Sequence, residues 1–241
     1  MDYLILFLVL ALIAEILGTI GGFGSSLFFV PIASFFLDFE SVLGVTALFH
    51  LASNITKLTF FRKGIDKNLL IYLGIPSVVF VIAGAFLSKY INTFYLEIGL
   101  AFFLISTSAL FLARPELKLS ISRFSAILGG SVSGFSAGLI GTGGAIRGLT
   151  LSSFALRPEV FIATSALIDL CVDASRSVVY FSNGFIHNHD LYLMPLLLIS
   201  SVIGTWLGKK VLDHLSFDKF RTIVLLLIAI TGIVTLVKLL V

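Results

Sequence analysis

Arg147 is the residue whose chemistry is hardest to ignore, because it stands alone as a charge between Arg123 and Arg157. It follows Gly141-Thr142-Gly143-Gly144, a segment that can unwind and leave backbone N–H groups free at the start of the next helix. A helix start with its macrodipole favours an anion, and a guanidinium adds a planar fork of donors that fits a small oxyanion. Gly21-Gly22-Phe23-Gly24 followed by Ser25-Ser26 offers the same chemistry with hydroxyl donors in place of the arginine. Other charges recur at helical spacing. Asp169, Asp173 and Arg176 stand at i, i+4 and i+7, and so do His50, Asn54 and Lys57, so each trio occupies one helix face. Glu15 is a lone carboxylate in the first apolar run.

These types and spacings define an anion site with Arg147, Lys57, Asn54, Arg176, Gly21, Gly22, Gly24, Ser25, Ser26, Gly141, Thr142, Gly143 and Gly144 as substrate-binding candidates. Asp169, Asp173, Glu15 and His50 are candidates for coupling or counter-charge. Plainer readings stand beside each of these. Arg147 can pair with Glu15, Asp169 or Asp173; Asp173 and Arg176 can form a structural ion pair; Lys57 can snorkel to the interface; His50 can be a hydrogen-bonded structural residue. Cys171, the single cysteine, reads as a small packing residue.

The elements that must position these groups are membrane helices. Of 241 residues 58% are apolar and 12% charged, and the mean hydropathy is +1.12, whereas a soluble chain carries about 25% charged residues. Charges cluster between apolar runs of about 20 residues, the length a helix needs to cross a bilayer. The basic residues flank those runs instead of forming a patch, which excludes nucleic acid as a partner and makes the lipid bilayer the solvent.

The chain repeats itself. Gly18-Thr19-Ile20-Gly21-Gly22-Phe23-Gly24 is answered by Gly138-Leu139-Ile140-Gly141-Thr142-Gly143-Gly144, Thr46-Ala47-Leu48 by Thr164-Ser165-Ala166, and Ile75-Pro76 by Met194-Pro195. Gly18 to Gly138 is 120 residues, Pro76 to Pro195 is 119 and Gly84 to Gly204 is 120. A single integral membrane domain, 1–241, is therefore expected to hold one repeat over about 1–117 and a second over about 118–241. Each repeat has a glycine-broken stretch, near 3–37 and 122–156, then three spans. These fall at about Val42 to Phe61, Leu69 to Ser88 and Phe94 to Ala113, and at Val160 to Phe181, Leu191 to Gly208 and Phe220 to Leu240.

Charge decides how the broken stretches lie, since cytoplasmic loops are rich in Lys and Arg. If each crosses once, the flanking basic residues divide seven against six and give no orientation. If each dips in and returns, Arg62, Lys63, Lys67, Arg114, Lys118, Arg123, Arg157, Lys209, Lys210, Lys219 and Arg221 share one face, leaving Lys89 and Lys238 on the other. Eleven against two selects the hairpin. The expected fold is an all-α polytopic membrane protein of two inverted repeats, each a re-entrant helical hairpin followed by three transmembrane helices, with both termini outside. Inverted repeats are the architecture of alternating-access transporters.

No zinc helix with paired histidines and no phosphate loop is present, and no enzyme is expected. His187-Asn188-His189-Asp190 has ligand chemistry but reads as a short polar turn on the outside, so no metal is expected. No cofactor is expected beyond a coupling proton or sodium ion.

With its two halves each opening on a glycine-rich segment, Gly21-Gly22-Phe23-Gly24 and Gly141-Thr142-Gly143-Gly144, the whole chain resembles the sulfite exporter TauE/SafE family of bacterial and archaeal membrane proteins. The resemblance implies a secondary transporter in the plasma membrane that moves sulfite or organosulfonates, and thus a small anionic substrate. A passive small-anion channel and a transporter of an unrelated small carboxylate are the alternatives.

Overall fold

The computed structural model describes residues 2–21, 24–61, 64–114, 120–154, 156–212 and 217–240. Gly22, Arg62, Lys63 and Lys118 lie outside the described residues, as do the side chains of Lys219 and Arg221. The chain is a multi-pass, all-helical membrane protein. Its helices are α1 (Asp2–Gly21), α2 (Ser26–Ala33), α3 (Phe39–Phe60), α4 (Lys67–Ser88), α5 (Thr93–Ala113), α6 (Arg123–Ile140), α7 (Gly144–Ser152), α8 (Pro158–Asn183), α9 (Leu193–Leu212) and α10 (Phe217–Leu240). Among the described residues α1, α4 and α5 are apolar and long enough to cross a membrane on composition alone. α3 and α8 carry the polar trios and sit inside.

Helix directions follow from who touches whom. On α9, Gly204 lies against Glu15 and Gly208 against Thr19, so α1 and α9 run parallel. On α6, Gly130, Gly134 and Gly138 lie in turn against Leu73, Ser77 and Val81 of α4, another parallel pair. A side chain at Gly134 would overlap the Ser77 backbone, so this small-residue ladder is what lets the two helices touch. α3 and α8 are antiparallel, with Gly44 beside Phe185, Asn54 beside Asp173, and Asp66 N–H on Thr164.

Each broken stretch is a hairpin of unequal arms, and the chain leaves it at the end where it entered. α1 has 20 residues and its return α2 has 8; α6 has 18 and α7 has 9. At about 1.5 Å per residue the long arm reaches some 30 Å, a full span, so the tips are not confined to mid-depth. Gly24 and Gly141 adopt φ of 82° and 80°, left-handed turns that glycine makes at little cost. Gly18 packs so closely on Ser25, and Gly143 on Ser133, that neither could carry a Cβ.

Polar caps set the remaining ends. The Asp38 carboxylate accepts the Ser41 N–H at 3.0 Å to open α3, and Asn92 and Ser122 cap α5 and α6 in the same way. Gly184 closes α8 with φ of 85°. Lys67, Arg114, Arg123, Arg157, Lys209 and Lys210 gather at the end where α3 stops; Lys209 donates to the Phe60 carbonyl there at 3.0 Å. Lys89 lies at the opposite end, and Lys238 donates there to the Ser34 carbonyl between α2 and α3. Phe7 packs on Phe36 at that same end, which places both chain termini together.

Cys171 departs from the sequence reading: it is exposed. Asp169 and Asp173 turn inward, and a residue midway between them lies about 200° around the helix, facing out.

Candidate functional site

The hairpins overlap at the centre. Thr142, in the second tip, donates to Ser26 at the start of α2 at 3.1 Å, and Gly24, in the first tip, abuts the guanidinium of Arg147 in the first turn of α7. The starts of both short helices thus lie side by side, between α3 and α8.

Three buried ion pairs surround this crossing. The first centres on Glu15, which is fully buried and accepts from Lys57 at 2.9 Å, Ser53 at 2.6 Å, Ser25 at 2.6 Å, Thr205 at 3.1 Å and Thr19 at 3.2 Å. Lys57 therefore turns inward instead of snorkelling. Because Ser25 gives its only proton to Glu15, His50 Nε2, at 3.1 Å from the same oxygen, must be the donor in that contact. His50, Ser25 and Glu15 thus form a directed chain of hydrogen bonds.

The second pair is Asp173–Arg176. Asp173 accepts Arg176 Nε at 2.8 Å and Asn54 Nδ2 at 2.7 Å, and Arg176 Nη2 lies 2.7 Å from the same carboxylate. Arg176 Nη1 reaches the carbonyls of Ala137 and Gly141 at 3.0 and 2.8 Å, and Tyr180 Oη donates to Gly138 O at 2.7 Å. Those carbonyls close α6 and have no partner within the helix, so Arg176 and Tyr180 hold the second tip in place and complement its negative dipole end. Asp173 and Arg176 thus form the ion pair that was one of the two readings of their spacing.

The third pair is Arg147–Asp169 at 2.5 Å, with Ser165 reaching Arg147 Nε and the Asp169 carboxylate at 3.4 Å each. Arg147 is 3% exposed, but the Asp169 side chain keeps 15% of its surface, the most open of the six charges. A cleft explains that opening. It is a small cavity of about 20 Å³, lined by Gly18, Thr19, Gly24, Asn54, Lys57, Ile162, Ser165, Ala166 and Asp169. Its walls come from the last turns of α1 and α3 and the first turns of α8, so it lies toward the basic end. Toward the other end the bundle is filled by Phe7, Phe29 and Phe49, whose rings pack at 4.7–5.8 Å, and by Leu43 and Val30 against Gly141.

Of the sequence candidates, Gly24, Asn54, Lys57 and Asp169 line the cleft, with Arg147 behind Asp169. Gly21, Ser25, Ser26, Gly141, Thr142, Gly143 and Gly144 form the buried tips, and Glu15, His50, Asp173 and Arg176 lie in the surrounding network. Thr19, Ser53, Ser165, Thr205 and Tyr180 also belong to the network and were not singled out. Thr19 and Ser53 were findable, each standing four residues along the helix from Glu15 or Lys57. Thr205, 190 residues from Glu15, carried no such signal.

Comparison with known proteins bears on what such a cleft is for. The family model described as sulfite exporter TauE/SafE matches residues 6–235. A protein of the archaeon Methanocaldococcus jannaschii, described as "Probable membrane transporter protein", is 28% identical over 251 residues, covering 95% of this chain and 93% of the relative.

Proposed function

Because the chain belongs to the sulfite exporter TauE/SafE family, a family of membrane transporters, we propose that it is a secondary transporter carrying small sulfur-containing anions, sulfite or organosulfonates, across the plasma membrane by alternating access. The observation that carries this reading is the cleft, where Lys57 and Asp169 face open space beside two short-helix starts and Arg147 stands one contact behind. An anion entering there competes with carboxylates for cations already in position.

Two inverted repeats, α1–α5 over about 1–117 and α6–α10 over about 118–241, supply the moving parts. α1 runs from the end that carries the termini and α6 from the basic end. His50 and Asp169, Asn54 and Asp173, and Lys57 and Arg176 are each 119 residues apart. Asn54 and Asp173 touch at 2.7 Å, as equivalent residues do when they straddle a two-fold axis. With the basic end cytoplasmic, both termini lie outside and the open cleft belongs to an inward-facing state.

Charge dictates the coupling. Lys57, Arg147 and Arg176 pair with Glu15, Asp169 and Asp173, so three formal cations cancel three formal anions in the buried core. Adding an anion to it leaves one uncompensated charge in a low-dielectric interior, which costs several kcal/mol. A proton taken up by a carboxylate removes that cost. Asp169 is the carboxylate placed to take it, since it is the one that faces the cleft and the one an anion would displace from Arg147. Glu15, held by five donors, orders Lys57.

The test is flux in proteoliposomes with sulfite, methanesulfonate, acetate and chloride under imposed proton, sodium and voltage gradients. Saturable, proton-driven movement of the sulfur anions with counterflow is expected. Movement of none of them refutes the proposal. Flux that neither saturates nor shows counterflow identifies a passive channel, and flux of acetate alone a carboxylate transporter.

A further inference from the structure

At the end of the bundle that carries the termini, far from the cleft, the turn between α8 and α9 brings together His187, His189 and Asp190. A 3₁₀ turn over Asn188–Asp190 folds the three onto one another. One ligand atom from each lies within 4.8 Å of the others. His187 Nδ1 is 3.7 Å from Asp190 Oδ2, and His189 Nε2 is 3.5 Å from Asp190 Oδ1. Both separations are too long for a hydrogen bond. They approach the roughly 3.3 Å between two ligands bonded at about 2.05 Å to one tetrahedral ion.

The second observation is Asp190 itself. The residue is 4% exposed, and its Oδ2 is buried with no hydrogen-bond partner. A buried carboxylate oxygen without a partner is unfavourable, and coordination to a cation relieves it. The imidazoles are not locked away: the His187 side chain is 32% exposed and that of His189 73%, so an ion has a path in from the aqueous side. The two rings stack at 5.1 Å and 11°, which holds their nitrogens on the same side of the turn.

We propose that His187, His189 and Asp190 form a binding site for a divalent transition metal ion of the zinc class. Two imidazole nitrogens and one carboxylate suit Zn²⁺, Ni²⁺ or Cu²⁺, whereas Mg²⁺ and Ca²⁺ take oxygen ligands. Three protein ligands leave a fourth position for water. The Ser41 hydroxyl now rests on His187 Nδ1 at 2.8 Å, and the ion takes its place on that nitrogen. Ser41 lies in the first turn of α3, and the Phe185 carbonyl packs on Gly44 one turn further along. The site therefore occupies the turn that covers the start of α3. It does not depend on the transport reading, because the ligands lie outside the cleft and its network.

The test uses the full-length chain purified in detergent without a histidine tag, stripped with chelator and titrated with Zn²⁺ by calorimetry. Co²⁺ serves as a visible-absorption probe of four-coordinate nitrogen and oxygen ligation. One Zn²⁺ per chain is expected, with His189→Ala and Asp190→Asn each weakening it at least tenfold, the scale on which even supporting residues of a metal site act. His189→Ala is the deciding variant, since an exposed side chain can be removed without disturbing the fold. Of the four histidines in the sequence, His214 supplies the control, and His214→Ala should bind as the unaltered chain does. Absence of stoichiometric Zn²⁺, equal binding by His189→Ala, or loss of binding in His214→Ala would each overturn the assignment.

Discussion

Replacing Asp169 with asparagine tests the coupling argument at its weakest link. On the proposed coupling an anion enters the unaltered chain with a proton, so its apparent affinity should fall tenfold for each unit of rising pH, equivalent to 1.36 kcal/mol per unit. Between pH 6 and 8 this amounts to about a hundredfold. Asp169→Asn removes one negative charge from the balanced set of six, leaving the core with one excess cation. It then accepts a monovalent anion without a proton, and the change between pH 6 and 8 should shrink below about twofold, a loss of some 2.7 kcal/mol of pH-dependent discrimination. Methanesulfonate is the suitable probe, since its own charge does not change in that range, and calorimetry of the detergent-solubilised protein reads the affinity directly. Asparagine still offers Arg147 an acceptor, and the Asp169 side chain is 15% exposed. The stability cost is therefore expected near 2 kcal/mol, below the 3–5 kcal/mol for breaking a fully buried pair. Arg147 on α7, Lys57 on α3, and Asp173 and Arg176 on α8 all face Asp169. His50 is the neighbouring group that could mimic the effect, and His50→Gln should leave the slope intact. If Asp169→Asn keeps the hundredfold fall, the proton goes elsewhere. If the unaltered chain shows no fall, anion entry requires no proton and the proposed coupling is refuted.

Four other changes follow from single contacts. Arg147→Ala should abolish the thermal stabilisation by methanesulfonate, which at a hundred times the dissociation constant amounts to about 2.7 kcal/mol in the unaltered chain; a retained shift would leave Arg147 structural. Tyr180→Phe leaves the buried Gly138 carbonyl without its 2.7 Å donor and should lower stability by about 1–3 kcal/mol in a denaturation series, with anion affinity unchanged. Gly134→Ala drives a methyl group into the Ser77 backbone and should cost about 1–3 kcal/mol or prevent insertion, read as a lower yield of monodisperse protein. Asp38→Ala removes the cap of α3 and should cost about 1 kcal/mol at neutral pH. Burial alone would push the Asp38 carboxyl up, but the Ser41 N–H, the Ser41 hydroxyl and nearby His187 outweigh it and hold it below its ordinary 3.8. That contribution is present above the ordinary value and disappears as pH falls through the lowered one, so variant and unaltered chain should converge in melting temperature only below about pH 4.

The helix plan was legible because the bilayer imposes a length and charges mark its limits. Span ends placed at Phe61, Ser88 and Ala113 fall within a residue of the ends of α3, α4 and α5. Charge counting pointed to broken stretches that turn back, since only a chain that returns to its own side gathers the basic residues at one end. It said nothing of arm length. The contrast between α1 with 20 residues and α2 with 8 depends on where the short arm stops, and Ser34 to Leu37 carry no strong breaking signal. The polar trios were legible as faces, because spacing fixes what shares a side of a helix. Their partners were not, because partnership depends on which helices touch. Glu15 meets Lys57 only because α1 packs beside α3, and it meets Thr205 only because Gly204 lets α9 come close.

The partnerships also change what the charges mean. Read along the chain, Arg147, Lys57 and Arg176 are three cations waiting for an anion; in the fold each already holds a carboxylate, and they differ in how firmly. Arg176 is engaged through Nε, Nη1 and Nη2 and secures the second tip, so moving it would release the end of α6. Lys57 shares Glu15 with four hydroxyls, which would keep that carboxylate satisfied if the ammonium swung into the cleft. Arg147 has one short carboxylate contact and one long serine contact, beside open space. A ligand displaces the least committed partner first, so for the anion proposed above the expected order of release runs from Arg147 through Lys57, with Arg176 held throughout. On that order Arg147 and Lys57 variants alter anion affinity, whereas Arg176 variants alter stability.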